Sequence, residues 1–133
     1  MKAISARATR GLNIGSLVEA CDNSGARIVR ITGIKGGKTK RGRQGSAKIG
    51  DWVKVSVRKG DLAMKGEVFD AVVVRLKRSW RRYTGERICF SDNAVALLKD
   101  EKGNPKGTQI RGAIAREVQE RWKEVSKLAS TIY

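Results

Sequence analysis

Few residues in this chain have the types and spacing for chemistry, and most of that chemistry fails on inspection. Gly37-Lys38-Thr39 invites a phosphate-cradling loop, whose pattern Gly-x4-Gly-Lys-Thr wraps backbone N–H groups around a nucleotide between a strand and a helix. The register is wrong: position 32, where the first glycine belongs, is Thr32, and Gly33 stands one place late. Gly42 and Gly45 follow, a poor start for a helix. The absence of histidine removes His-based triads, His proton shuttles and every His-containing metal site. Cys21 and Cys89 lie 68 residues apart, and two thiolates cannot complete a tetrahedral zinc site. Both are expected to be reduced core thiols. The carboxylates are scattered among cations, and no nucleophile has a base beside it. Asp22 and Asp92 stand in turn-like settings, where a side-chain bond to the backbone is the ordinary role. The chain reads as a non-enzyme with no cofactor and no metal.

Charge is the informative property. The 133 residues carry 29 Lys and Arg against 13 Asp and Glu, a formal charge of +16. Such self-repulsion in a short chain points to a polyanionic partner. The excess is uneven: residues 1–48 hold eleven basic and two acidic side chains, whereas 100–133 hold seven and five. Lys35–Lys48 has six cations, four glycines and no acid, so it reads as a basic loop whose backbone can approach phosphates closely. Its candidate contacts are Lys35, Lys38, Lys40, Arg41, Arg43 and Lys48. A second concentration, Arg75, Lys77, Arg78, Arg81 and Arg82, is interleaved with Trp80 and Tyr83, a composition suited to irregular or single-stranded nucleic acid. Trp80 joins that candidate set, the alternative being that it folds back onto the protein. Arg7 and Arg10 near the start, and Lys54 and Arg58 on the polar side of a strand, complete the candidate RNA-binding residues. A chromatin-type DNA protein is the rival reading that composition alone permits.

These side chains need a scaffold, and the hydrophobic pattern supplies one. Val53, Val55 and Val57 alternate with Lys54, Ser56 and Arg58 as a half-buried strand requires. Val72, Val74 and Leu76 alternate with Val73, Arg75 and Lys77 in the same way. Shorter apolar stretches at Leu17–Cys21, Arg27–Ile31, Arg87–Phe90 and Ala94–Leu98 are bounded by turn residues. Five or six short strands with a basic outer face predict a small closed barrel, which leaves no open edge. Toward the end the period changes: Ile114, Val118, Trp122, Val125, Leu128 and Ala129 share one side of a helical wheel over 113–129. Arg121 falls on that same side, which signals a break or a cation aimed at a partner. Arg116, Glu120, Lys123 and Lys127 lie opposite and, with Arg121, form the candidate partner or subunit interface. Residues 1–133 are read as a single domain. The early cations Arg7 and Arg10 preclude a signal peptide, and the longest apolar runs, Ala71–Val74 and Ala94–Leu98, are far short of a membrane span. A cytoplasmic protein without membrane contact is expected.

Four blocks in order then carry a resemblance. They are Asp22-Asn23-Ser24-Gly25-Ala26-Arg27, Ala71-Val72-Val73-Val74-Arg75, Gly85 through Phe90 to Asp92-Asn93-Ala94, and Gly107-Thr108-Gln109-Ile110-Arg111-Gly112 running to Arg116-Glu117. Over about residues 14 to 130 the chain resembles the family of the universal fourteenth protein of the large ribosomal subunit. The lead Lys2–Asn13 looks like its archaeal and eukaryotic branch. Thr84 and Ala96 are small departures from the family pattern. The resemblance implies a mainly β fold: a small five-stranded closed β-barrel with a projecting β-ribbon and short C-terminal helices. It implies a structural role in translation, with large-subunit ribosomal RNA and neighbouring ribosomal proteins as partners. It also implies contact with small-subunit ribosomal RNA at an intersubunit bridge, and docking of an anti-association initiation factor.

Overall fold

The computed structural model describes residues 1–37 and 44–133. Four short or medium strands open the chain, β1 (Ala6–Arg7), β2 (Leu12–Asn13), β3 (Leu17–Ala20) and β4 (Ala26–Ile34). After them come β5 (Ser46–Ala47), β6 (Trp52–Gly60), β7 (Val68–Arg75), β8 (Trp80–Arg82), β9 (Arg87–Ile88) and β10 (Ala94–Leu98). The chain ends with β11 (Ile110–Ile114), α1 (Arg116–Arg121), α2 (Lys123–Ser126) and β12 (Ala129–Ile132). Strands β10, β3, β4, β6 and β7 close in that order into the expected five-stranded barrel. All its pairs are antiparallel except β10 with β3. Outside it, β8 and β9 form a two-stranded ribbon with β1 along its edge. No described helix is long and apolar enough to cross a membrane.

The alternation expected of β6 holds in part: Val53, Val55 and Val57 are buried and Lys54 and Arg58 exposed, but Ser56, expected on the polar side, is buried as well. Strands β7 and β10 differ, because Ala71–Arg75 and Ala94–Leu98 are buried on both faces. The C-terminal segment is the reason. It lies over the outer side of β7, with Ala115 N–H donating to the Val74 carbonyl and the Arg75 guanidinium donating to the carbonyls of Arg111 and Ala113.

The helical region expected over 113–129 is shorter than its periodicity indicates. Residues up to Ile114 belong to β11 and those from Ala129 to β12, which pair in parallel. Helicity is confined to α1 and α2, and the chain bends between them at Trp122 (φ −122°, ψ 74°). Arg121 explains the break. Its guanidinium lies 3.1 Å from Asp51 and also reaches the carbonyls of Gly50 and Lys2, so the helix must turn to bury Trp122 without burying a bare cation. Trp122 then donates its indole N–H to the Gly50 carbonyl at 2.9 Å and meets Trp52 edge to face. The two free cysteines separate: Cys21 is buried, its thiol pushed up to about 12 mainly by burial, whereas Cys89 is exposed. The expectation of two core thiols therefore fails for Cys89, which follows strand β9 outside the barrel.

The turn Asp22–Gly25, between β3 and β4, ties β10 and the segment leading into β11 to the barrel. Asp22 is buried and accepts hydrogen bonds from Ser24 Oγ (2.8 Å) and Leu97 N–H (3.1 Å). Asn23 Oδ1 accepts from the N–H groups of Thr108 and Gln109, while its amide donates to Thr108 Oγ1 at 2.7 Å. Gly25 has φ +105°, and a Cβ there would stand 2.3 Å from the Asp61 carboxylate, so the turn requires glycine.

This packing has measurable consequences. Trp122→Ala should destabilise the protein by about 3–5 kcal/mol in chemical denaturation, the loss usual for a buried tryptophan. Burial holds the Asp22 carboxyl above its ordinary 3.8, outweighing the hydrogen bonds from Ser24 and Leu97 that pull the other way. Between 3.8 and the folded value the unfolded chain has released a proton that the folded chain keeps. The stability Asp22 contributes is thus full at lower pH and falls as pH rises through that window. The unfolding free energy of wild type relative to Asp22→Asn should decline across it. A difference flat in pH would mean that Asp22 titrates alike in both states.

Candidate nucleic-acid interface

The ribbon shows how the fold turns sequence into an interface. In β8, Trp80 and Arg82 point inward. Trp80 is fully buried, stacked on Phe90, and donates its indole N–H to Glu117 at 3.1 Å. Arg82 grips the same buried carboxylate through Nε (2.9 Å) and Nη2 (3.3 Å), and its Nη2 also reaches the Tyr133 carbonyl. With its two neighbours fixed inward, Arg81 must face outward. Its cross-strand partners are Arg7 in β1 and Arg87 in β9. Three exposed arginines therefore stand in one registered row across three strands. None has an ion-pair partner among the described residues. Like charges directly opposite one another on a sheet are unfavourable, so the row is a surface poised for an anion.

The remaining expected cations fall into two groups. Arg10, Lys77 and Arg78 are exposed, and Arg78 packs beside Gly11, which extends the basic surface from the ribbon toward Arg10. Lys54 and Arg58 are exposed on β6 as expected, although Lys54 stands 3.6 Å from Asp70. Lys48 is half-buried beside the Asp51 turn. Lys35 is exposed, with its ammonium 3.4 Å from the Trp52 ring centre and 4.0 Å from Glu101. The expected contacts Lys38, Lys40, Arg41 and Arg43 lie outside the described residues.

Three expected contacts turn inward instead. Trp80 cannot stack on a base because it has no exposed surface. Arg75 is buried in a two-pronged pair with Asp92, at 2.9 and 3.0 Å, and Arg82 is buried on Glu117. Each is neutralised within the fold and does not belong to a phosphate-binding surface. The C-terminal set divides in the same way. Glu120 accepts the Ser5 N–H at 2.7 Å through one carboxylate oxygen, and Arg121 is committed to Asp51 with little of its side chain open to solvent. Arg116 and Lys123 remain exposed, and Lys127 makes only an exposed pair with Glu124.

Sequence reasoning missed Arg87, Arg27 and Arg30, all on strands and open to solvent on their outer sides. Cross-strand register brings Arg87 beside Arg81, and no local pattern encodes that register. Among the described residues no group of three or more metal-ligating side chains comes together.

Comparison with known proteins accords with this architecture. A family model described as ribosomal protein L14p/L23e matches residues 11–133. The chain is 52% identical to the large ribosomal subunit protein uL14 of Nanoarchaeum equitans, over 99% of both chains. It is 43% identical to the uL14 protein of Halobacterium salinarum and 41% to that of Methanothrix thermoacetophila, again over 99% of each. A match across nearly the whole length at these identities, on a chain that forms the barrel, establishes that this protein belongs to the ribosomal protein L14p/L23e family, in its archaeal branch.

Proposed function

We propose that this protein is a structural, non-enzymatic constituent of the large ribosomal subunit in the cytoplasm, and that it binds large-subunit ribosomal RNA through its unpaired basic surface. The observation that carries this reading is the sorting of its cations. Arg75, Arg82 and Arg121 are consumed by internal carboxylates, whereas Arg7, Arg81 and Arg87 are registered together with no ion-pair partner among the described residues. The surface neutralises phosphates and so fixes the fold of the RNA around it, reading shape and backbone more than sequence. The loop Lys35–Lys48 adds to it through Lys38, Lys40, Arg41 and Arg43. Neighbouring ribosomal proteins complete the setting.

The C-terminal face has a different task in this reading. Arg116, Lys123 and Lys127 project from short helices whose surroundings are nearly balanced in charge. Exposed ion pairs there are each worth only about 0–1 kcal/mol and are screened by salt, which suits contacts that form and break. This face meets small-subunit ribosomal RNA at an intersubunit bridge and, when the subunits are kept apart, an anti-association initiation factor.

Both halves are testable. Neutralising Lys38, Lys40, Arg41 and Arg43 together should weaken RNA binding across sequences. The log–log salt slope should fall by roughly 0.7 to 0.9 for each phosphate that is no longer neutralised. An unchanged slope would remove the loop from the RNA-binding surface. Reversing Lys123 and Lys127 to Glu should leave folding and incorporation into large subunits intact while weakening subunit joining or factor binding. If the doubly reversed protein is folded but missing from assembled large subunits, this face is an RNA anchor instead.

A further inference from the structure

We infer that the ribbon captures a single unstacked RNA base, with Tyr83 as the stacking platform and the Arg7, Arg81 and Arg87 row holding the adjoining backbone; this rests on the RNA-binding reading and sharpens it. Tyr83 is 88% exposed, the most exposed aromatic side chain among the described residues, and sits two residues beyond Arg81 at the end of β8. An aromatic side chain this open gains nothing from the fold, yet its ring is ready-made for a base. Beside it opens a groove of about 390 Å³ lined by Ile4, Ala6, Arg7, Arg81, Arg82 and Tyr83. The size and the mixed lining suit one planar, polar-edged ring: apolar Ile4 and Ala6 meet its face while Arg7 and Arg81 border its phosphates, Arg82 serving only as wall because its guanidinium is spent on Glu117.

The groove is also held in shape. Its β8 wall is fixed from behind by Arg82 and Trp80 on Glu117, and its β1 wall by the Ser5 N–H bonded to Glu120. Adjacent strands lie about 4.8 Å apart, so the three arginines span roughly 10 Å of sheet. That spacing concentrates positive charge on a short stretch of backbone, as at a bulge or sharp bend, rather than spreading it along a regular helix. Glu86, the chain neighbour of Arg87, accepts a hydrogen bond from Thr84 and makes no ion pair with the row among the described residues. RNA is favoured over an acidic protein partner because only a nucleic acid offers both a stacking face and closely spaced phosphates.

The test uses the full-length protein and two RNA hairpins, one fully paired and one with a single unpaired adenosine in its stem. Wild type should bind the bulged hairpin about tenfold more tightly or better, within the range for one base stacked on one aromatic ring. Tyr83→Ala should abolish that preference without changing affinity for the paired hairpin or the thermal melting temperature, and Tyr83→Phe should retain it. Replacing Arg7, Arg81 and Arg87 with Gln should weaken both complexes and reduce the salt slope. Equal affinity of wild type for the two hairpins, or a preference that survives Tyr83→Ala, would overturn base capture while leaving RNA binding standing. Failure of wild type to bind either hairpin would overturn both readings.

Discussion

A buried carboxylate organises the outer half of this protein. Glu117 lies on α1, is nearly inaccessible, and receives hydrogen bonds from both Trp80 and Arg82. Two charges taken out of water repay their desolvation only if the geometry is good and the remaining polar atoms are satisfied. Here both oxygens are used, and the second Arg82 nitrogen also finds a backbone carbonyl. Removing either partner of such a pair strands a buried charge, typically at a cost of about 3–5 kcal/mol. The pair therefore locks the face of β8 against the C-terminal helix. Because strand side chains alternate, that lock also dictates which residues of β1, β8 and β9 face outward. The basic row is a geometric consequence of what is buried behind it.

The same logic runs through the blocks that carry the family resemblance, since they meet in space. Arg75 ends the first long apolar block, pairs with Asp92 of the next, and donates to carbonyls of Arg111 and Ala113 in the last. Gly112 stands between those two residues with φ +77°, and a Cβ there would lie 2.8 Å from Arg75 Nη1. Asn23 of the first block holds Thr108 and Gln109 of the last. These residues are spent on joining the barrel to its C-terminal cover, and their polar atoms are largely used up internally. Recognition is left to side chains between and around them.

This division explains what can be read from the sequence. The barrel strands are legible because a half-buried strand advertises itself by period-2 alternation, as Val53, Val55 and Val57 do. Strand β7 betrays its position but not its double burial, because the cover over its outer face comes from 36 to 38 residues downstream and leaves no local trace. The C-terminal helix reads too long for a related reason: Ile114 and Ala129 fit a helical wheel, yet parallel pairing between β11 and β12 claims both ends. Arg121 is the visible warning, and the chain breaks beside it. At the candidate interface, charge density alone cannot separate Arg82, neutralised by Glu117, from Arg81, which is not. That distinction requires knowing which face of the strand is inward. Trp80 beside them mimics a base-stacking residue because buried and functional tryptophans look alike in one dimension.

Internal pairing also sharpens what the net charge means. The ion pairs of Arg75, Arg82 and Arg121 neutralise three carboxylates, Asp92, Glu117 and Asp51, within the fold. Equal numbers of each sign are removed, so the whole +16 excess stays outside and is diluted by fewer acids. The free protein consequently carries a repulsive surface that its core must hold together, most acutely where three arginines share one row of a short sheet. A polyanion that binds only the folded form relieves that repulsion and adds its binding free energy to the stability of the fold. Salt relieves part of the same strain by screening, but it also competes with the phosphates, so stability of the free protein and affinity for RNA respond to salt in opposite directions. The buried pairs answer to neither, and that is why the scaffold can hold its shape while its surface is tuned for a charged partner.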